Sequence, residues 1–160
     1  MAETQDDTGD FSGLRAVYLN CTLKRADQPS HTELLMGASA EIMRKHGVAV
    51  ETIRPGERQI AFGVYPDMRE HGWERDDWPD LWETVKQADI LVIGTSIWLG
   101  EHSSACRLII ECLYVMSGEL HEKGQASFYG NGGGTGSTGH DVGIAPLACR
   151  VFTSSSALEG

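Results

Sequence analysis

Hydrophobic residues along the chain form three short runs that predict buried strands. The runs cover residues 14–20, 48–54 and 89–98, and they are rich in Val, Ile, Leu and aromatic side chains. The third run is unbroken from Ile90 to Ile93, which indicates burial on both faces, as in a parallel sheet.

Two further segments carry helical signals. Ser30 and Glu33 form a capping box, and Gly47 follows a basic turn, so both ends of the first helix are marked. A second helix is predicted to follow Ser103 or Ser104, either of which can cap it. The apolar face of the first helix comprises Leu34, Leu35, Ala38, Ile42 and Met43, and that of the second comprises Ala105, Leu108, Ile109, Cys112, Leu113 and Met116.

The order of these elements predicts the fold class. A strand, a helix and a strand are followed by a long polar connection (56–77), a short helix near 80–88, the strongest strand and a last helix. Such alternation predicts an α/β protein with a doubly wound parallel sheet and three layers, α/β/α. Residues 1–13 are acidic and polar, and they are expected to form a disordered leader.

Composition narrows the possible partners. A chain of 160 residues fits one domain, and its formal net charge of −10 would repel a nucleic-acid backbone. No apolar run approaches the roughly 18 residues that a membrane span needs, and the first residues do not resemble a secretory signal. We therefore expect a cytoplasmic protein with no nucleic-acid or membrane partner. Scattered Cys and His residues predict neither a metal site nor a disulfide framework.

The loop at 20–32, between the first strand and the first helix, is suited to a phosphate. It offers the hydroxyls of Thr22, Ser30 and Thr32, the cations of Lys24 and Arg25, and the free N–H groups of a helix start. The nucleotide-binding pattern G-x-x-x-x-G-K-[ST] is absent, so triphosphate hydrolysis is not expected. The alternative is an ordinary solvated loop in which Ser30 only caps its helix.

A second loop, at 95–104, follows the strongest strand. Trp98, Leu99 and Gly100 place bulky apolar surface at a strand end, which suits a flat aromatic ligand. The alternative is that Trp98 packs beneath the long connection. In doubly wound sheets, ligands bind beyond the carboxyl ends of the strands, so the two loops together suit FMN, which has an anionic end and a flat ring.

Three separated segments also resemble one family. "LNCTLKRADQPSHTELL", "GVYPDMREHGWERDDWPDLWE" and "ADILVIGTSIWLGEHSSACRLIIECLY" are similar to the flavodoxin-fold NAD(P)H-dependent FMN reductases, and the similarity runs from Ala16 to Gly130. The resemblance implies a flavodoxin-like FMN-binding domain at 14–143 and an atypical tail at 144–160.

The resemblance also implies cofactor-binding residues at three places. Those expected at the FMN phosphate are Asn20, Thr22, Leu23, Lys24, Ser30, His31 and Thr32. Those expected at the isoalloxazine ring are Thr95, Ser96, Ile97, Trp98, Leu99 and Gly100, with Thr138 and Gly139 in a third loop. His31 stands where Asn is more usual, which is expected to weaken phosphate binding without abolishing it. Ser96 stands where Pro is common, so this loop is expected to be less rigid.

The activity implied by the resemblance is transfer of hydride from NAD(P)H to FMN, and of electrons onward to a quinone or similar small acceptor. A homodimer with the flavin near the interface is also implied. No catalytic side chain is expected, because the flavin carries the chemistry. Two alternatives are a flavodoxin-type electron carrier and a non-catalytic remnant that binds no flavin.

The glycine-rich stretch 132–139 contains the spacing G-x-G-x-x-G of a dinucleotide fingerprint. No strong helical pattern follows it, which argues against that interpretation. The resemblance instead places the stretch at a central strand, which its five glycines would weaken. Similarity is expected to fade after Gly130, as in a truncated or frame-shifted reductase, leaving the sheet incomplete at its C-terminal edge.

Overall fold

The computed structural model describes residues 11–119 and 132–138. Residues 1–10 of the predicted leader, Gly139 and the tail at 144–160 lie outside this part of the chain. The strands are β1 (Arg15–Asn20), β2 (Ala49–Ile53), β3 (Ile90–Trp98), β4 (Glu101–His102) and β5 (Gly132–Thr138). The helices are α1 (His31–Lys45), α2 (Trp78–Val85) and α3 (Ser104–Met116), with 3₁₀ turns at Pro55–Glu57 and Met68–His71.

The sheet confirms the predicted fold class. Its parallel strands follow the order β2-β1-β3-β5, and β4 pairs antiparallel with the end of β3. Strand β1 lies between β2 and β3, so the order along the sheet reverses beside β1. In open α/β sheets this reversal opens a crevice at the carboxyl ends of the strands.

Two apolar clusters hold the three layers together. On one face of the sheet, Met36 and Ala40 of α1 pack against Tyr18 of β1. On the other face, α2 and α3 pack over β1 and β3 in the larger cluster, with Trp78 and Ile109 buried among strand residues. Helices on both faces are what two crossovers in opposite directions along a parallel sheet require. Among residues 11–119, no helix has the length and apolar content to cross a membrane.

Helix α1 buries a different face from the apolar one seen in the sequence. Thr32, Met36 and Ala40 are its buried residues, whereas 67% of Leu34 and 58% of Ile42 remain exposed. The reason lies in the sheet: Gly94 has no side chain, and Met36 occupies the space above it. A Cβ on Gly94 would lie 2.0 Å from the Met36 sulfur.

The long connection is irregular, as predicted, and one buried carboxylate organises it. Asp76 accepts hydrogen bonds from the backbone N–H groups of Ala61, Met68 and Trp78, at 3.0–3.2 Å. It is only 3% exposed. Because buried backbone groups require partners, this carboxylate substitutes for the missing regular structure. The sequence contained no signal for that role.

The glycine-rich stretch forms strand β5 and not a dinucleotide-binding turn. It pairs with β3 along its whole length, from Gly132 opposite Ile90 to Thr138 opposite Ser96. A continuous parallel ladder of this kind needs only backbone groups, so the absence of side chains does not prevent pairing. The expectation that the stretch is a strand of the sheet is therefore confirmed, but among the described residues β5 is the last strand of the order β2-β1-β3-β5 and not a central one.

Candidate functional site

The sheet brings the two predicted loops together at one edge. The last residue of β1, Asn20, lies in register with Gly94 of β3, and the Cys21 N–H donates to the Gly94 carbonyl at 2.8 Å. The loop after β1 and the end of β3 therefore start from neighbouring positions. This edge is also where the strand order reverses, which is the usual ligand-binding place in such sheets.

Hydrogen bonds within the first loop hold it in one conformation. The Asn20 side-chain oxygen accepts from the Thr22 N–H at 3.2 Å, and the Thr22 hydroxyl accepts from the Lys24 N–H at 3.3 Å. The Ser30 hydroxyl lies 3.0 Å from that of Thr22 and also accepts from the Glu33 N–H at 3.5 Å. Ser30 therefore caps α1 and also takes part in the hydrogen bonds of the loop.

Most charge in this loop lies at its rim. Lys24 is exposed, and its ammonium donates to the Pro29 carbonyl at 2.7 Å, which bends the side chain back over the loop. Leu23 and His31 are also exposed, whereas Thr32 is buried at the helix start. The first turn of α1 supplies N–H groups, and the local dipole favours an anion there.

The second predicted loop is mainly strand. Thr95, Ser96, Ile97 and Trp98 extend β3, and Leu99 with Gly100 makes the tight turn into β4. Their φ angles are +51° and +78°, the signs that a two-residue type I′ hairpin turn requires. Positive φ is unusual for leucine, so the hairpin imposes local backbone strain at Leu99.

The hairpin presents an apolar wall to solvent. Trp98 is 59% exposed and Leu99 is 94% exposed. Trp98 is therefore not packed beneath the long connection, which was the alternative left open by the sequence. An exposed indole beside an exposed leucine at the crevice rim is a surface on which a flat ring can stack.

One hydroxyl joins both loops to helix α3. The Ser103 Oγ donates to the Cys21 carbonyl at 2.7 Å and accepts from the Cys106 N–H at 3.2 Å. The Ser103 N–H in turn donates to the Thr95 hydroxyl at 3.2 Å. From the sequence, Ser103 was only one of two possible caps, because its contacts with β1 and β3 depend on chain segments far away.

Two buried polar atoms at this edge lack partners among the described residues. They are the Asn20 side-chain nitrogen, on β1, and the Ser96 hydroxyl, on β3. Buried polar groups normally have a hydrogen-bond partner, so both atoms fit a site completed by a polar ligand or by water. The backbone of Thr138 reaches the same edge, since it pairs with Ser96. Gly139, the next predicted contact, is outside the described part of the chain.

Two thiols lie directly beneath the crevice. A hydrogen bond from Cys21 lowers the pKa of the Cys106 thiol, while the same contact and burial raise the pKa of Cys21. Both residues are almost fully buried, so the pair contributes to packing between β1 and α3. In residues 11–119 and 132–138, no three His, Cys, Asp or Glu side chains form a group that could hold a metal ion.

Arg54 is a site-edge residue that the sequence analysis missed. It directly follows β2, and its side chain is only 12% exposed. The guanidinium lies 2.5 Å from the Glu33 carboxylate and donates to the Lys24 carbonyl at 3.1 Å. Its position at the end of the predicted strand 48–54 was the available signal, because the carboxyl ends of parallel strands share one edge.

A phosphate-suited loop and an apolar wall at the reversal point of a parallel α/β sheet define the class of flavodoxin-like flavoproteins. The chain belongs to the NADPH-dependent FMN reductase family, whose sequence pattern matches residues 14–150. The match continues past Gly130, where the similarity was expected to end, so that expectation was wrong. FMN as cofactor and NAD(P)H as electron donor, predicted from the resemblance, are confirmed for the family.

Two curated relatives are similar over nearly the whole chain. The 8-demethyl-8-aminoriboflavin-5'-phosphate synthase of Streptomyces davaonensis is 31% identical over 144 residues, which are 87% of this chain and 56% of that protein. The divalent metal cation transporter MntH of Mycobacterium bovis is 48% identical over 144 residues, which are 90% of this chain and 21% of that protein. This chain thus spans about half of one relative and a fifth of the other.

A solved structure agrees with the sequence match. The crystal structure of RosB with the bound intermediate 8-demethyl-8-formylriboflavin-5'-phosphate superposes with a TM-score of 0.77 and 31% identity. The superposition covers 91% of this chain and 60% of that chain. The flavodoxin-like fold of the described residues is therefore shared with that structure.

Proposed function

We propose that this chain binds FMN at the crevice between β1 and β3 and, as a reductase, passes hydride from NAD(P)H to FMN and electrons onward to a quinone or similar small acceptor. The observation that carries the proposal is the register of Asn20 with Gly94, which sets the phosphate-suited loop beside the apolar wall. Family membership supports the same ligand.

The residues present fit FMN at both of its ends. The hydroxyls of Thr22, Ser30 and Thr32, together with the first N–H groups of α1, would hold the phosphate. Trp98 and Leu99 would contact the ring, and the unpartnered side-chain nitrogen of Asn20 is a donor beside the loop. When bound, the flavin supplies the two-electron chemistry, and the protein contributes position and electrostatics. No side chain is assigned as an acid or base.

The first test is to purify the chain and record its visible spectrum. Bound FMN should give the generic flavin absorbance near 450 nm, on the order of one flavin per chain. Anaerobic stopped-flow mixing with NADPH should then bleach that band. A chain that folds by circular dichroism but binds no added FMN would contradict the proposal. Slow bleaching of tightly bound FMN would instead support the electron-carrier alternative.

A matched pair of aromatic variants tests the wall. Trp98→Ala should weaken FMN binding about 3- to 10-fold, because a stacked aromatic contact contributes about 0.5–1.5 kcal/mol beyond its buried area. Tyr114→Ala removes an aromatic ring that is 79% exposed on α3, and it should leave FMN affinity unchanged. Fluorescence quenching of FMN measures both. Equal FMN affinities for the two variants would show that Trp98 does not contact the bound FMN.

A second candidate function follows from the similarity to RosB. That protein holds a modified riboflavin phosphate as a bound intermediate, at 31% identity to this chain. The same crevice would then treat the flavin phosphate as a substrate. Mass spectrometry of FMN recovered after incubation distinguishes the two: an unchanged mass supports a cofactor, and a changed mass supports a substrate. Homodimer formation and cytoplasmic location stay predictions from the sequence.

A further inference from the structure

The Arg54–Glu33 ion pair lies where the anionic end of the ligand is expected. Glu33 is in the first turn of α1, and its N–H donates to the capping Ser30 hydroxyl. A carboxylate there interacts favourably with the helix dipole, but it also repels a phosphate that approaches the same helix end. The acid therefore opposes the ligand that the loop is suited to bind.

Arg54 removes this opposition. Its mostly buried guanidinium lies 2.5 Å from the Glu33 carboxylate, whose side chain is 46% exposed, so the cation offsets the negative charge of Glu33 at close range. It also donates to the Lys24 carbonyl at 3.1 Å, so a carbonyl oxygen of the loop is held by the cation. A carbonyl that faced the phosphate would repel it, because both groups are hydrogen-bond acceptors.

We propose that Arg54 is a positioning residue that makes the crevice selective for a phosphorylated flavin over unphosphorylated riboflavin, by neutralising Glu33 and orienting the loop at Lys24. The inference rests on the proposed function. The inference places the selectivity for phosphate at the end of β2, a strand that contains none of the cofactor-binding residues predicted from the sequence. The unpartnered buried nitrogen of Asn20, on the neighbouring strand, independently indicates a polar ligand at this edge.

The test compares FMN with riboflavin, which lacks the phosphate. In Arg54→Gln, FMN affinity should fall at least about tenfold, because Glu33 is left uncompensated beside the phosphate, while riboflavin affinity stays within about threefold. In the double variant Arg54→Gln with Glu33→Gln, FMN affinity should return to within about threefold of the unaltered chain, because both charges are gone. Quenching of flavin fluorescence measures each of these affinities.

A matched arginine serves as the control. Arg15 pairs with Glu51 at 2.8 Å at the start of β1, the opposite end of the strand from the crevice. Arg15→Gln should leave the ratio of FMN to riboflavin affinity unchanged. Circular dichroism confirms that each variant is folded. If Arg54→Gln does not fold, Glu33→Gln alone decides: FMN affinity equal to or above that of the unaltered chain supports the proposal, and a clear loss overturns it.

The outcomes distinguish failure of the proposed function from failure of the role proposed for Arg54. If the unaltered chain binds neither flavin, the proposed function fails, and this inference fails with it. If the unaltered chain binds FMN but Arg54→Gln loses FMN and riboflavin equally, Arg54 only supports the structure, and the inference alone is overturned. Failure of the double variant to recover FMN binding would also overturn it.

Discussion

At the residue scale, single polar groups decide how the site is assembled. The Ser103 hydroxyl contacts the Cys21 carbonyl and the Cys106 N–H, and so connects the loop after β1 to α3. Arg54 connects β2 to the same loop through the Lys24 carbonyl. The Ser103–Cys21 and Arg54–Lys24 contacts each span a large sequence separation, so neither follows from local propensity. The loop geometry therefore depends on a few side chains whose partners only the fold supplies.

Two adjacent serines allow a direct test of this assembly. Ser103→Ala should lower the free energy of unfolding by about 1–2 kcal/mol, because the helix cap is lost and the Cys21 carbonyl loses a buried donor. Ser104→Ala changes an exposed residue in the first turn of α3 and should cost less than about 0.5 kcal/mol. Urea denaturation measures both. Equal losses would show that Ser103 does not hold the site together.

At the element scale, the sheet and helix α1 constrain one another. Gly94 on β3 leaves room for Met36 of α1, whereas Gly136, its register partner on β5, faces Leu35 at ordinary van der Waals distance. The space above Gly94 also explains why α1 buries Met36 and exposes Leu34, because the helix packs so that the Met36 side chain fills that space. Glycine content alone therefore does not describe a strand's contribution to stability.

The paired glycines are expected to respond in opposite ways to the same substitution. Gly136→Ala should raise the free energy of unfolding by about 0.5–1 kcal/mol, because it restricts the unfolded chain without a clash. Gly94→Ala should lower it by about 1–3 kcal/mol, because its Cβ would lie 2.0 Å from the buried Met36 sulfur. Urea unfolding midpoints compare them. Destabilisation by both would contradict the packing described for β5.

At the scale of the whole molecule, charge and burial determine how stability changes with pH. The chain has a formal net charge of −10 at pH 7, and hydrogen bonds from neighbouring arginines lower the pKa of the partly buried carboxyls Asp67 and Asp77 below 3.8. These carboxyls stay ionised through mildly acidic conditions, so their contribution is lost only in strong acid. A histidine whose pKa is lowered by the fold behaves differently, because its ordinary pKa lies near neutrality.

His102 of β4 is such a group. Burial lowers its pKa below the ordinary value of 6.5, and the nearby Arg107 cation lowers it further. The unfolded chain then binds the proton more readily, so the free energy of unfolding should decrease as the pH falls through about 6.5 toward the folded pKa. His102→Gln should flatten this decrease. Urea denaturation at a series of pH values tests it, and an unchanged slope in the variant would exclude His102 as its source.

The sequence by itself determined the elements, their order and the two loops of the candidate site. Strand runs such as 89–98 and the capping box at Ser30 are local signals, because periodicity and caps act over a few residues. The resemblance carried by three segments added the family and its cofactor. The resemblance also predicted a strand at the glycine-rich stretch, which forms β5 although its composition disfavours a strand.

Only the tertiary structure decided which of these features meet. The burial of Met36 in place of Leu34, the junction at Ser103 and the Arg54–Glu33 pair all depend on strand order and register. Sequence periodicity reports that a helix has an apolar face, but burial is set by the surface packed against it. Contacts between distant segments form when the sheet assembles. Their contribution to stability depends on neighbouring residues that no short stretch of sequence contains.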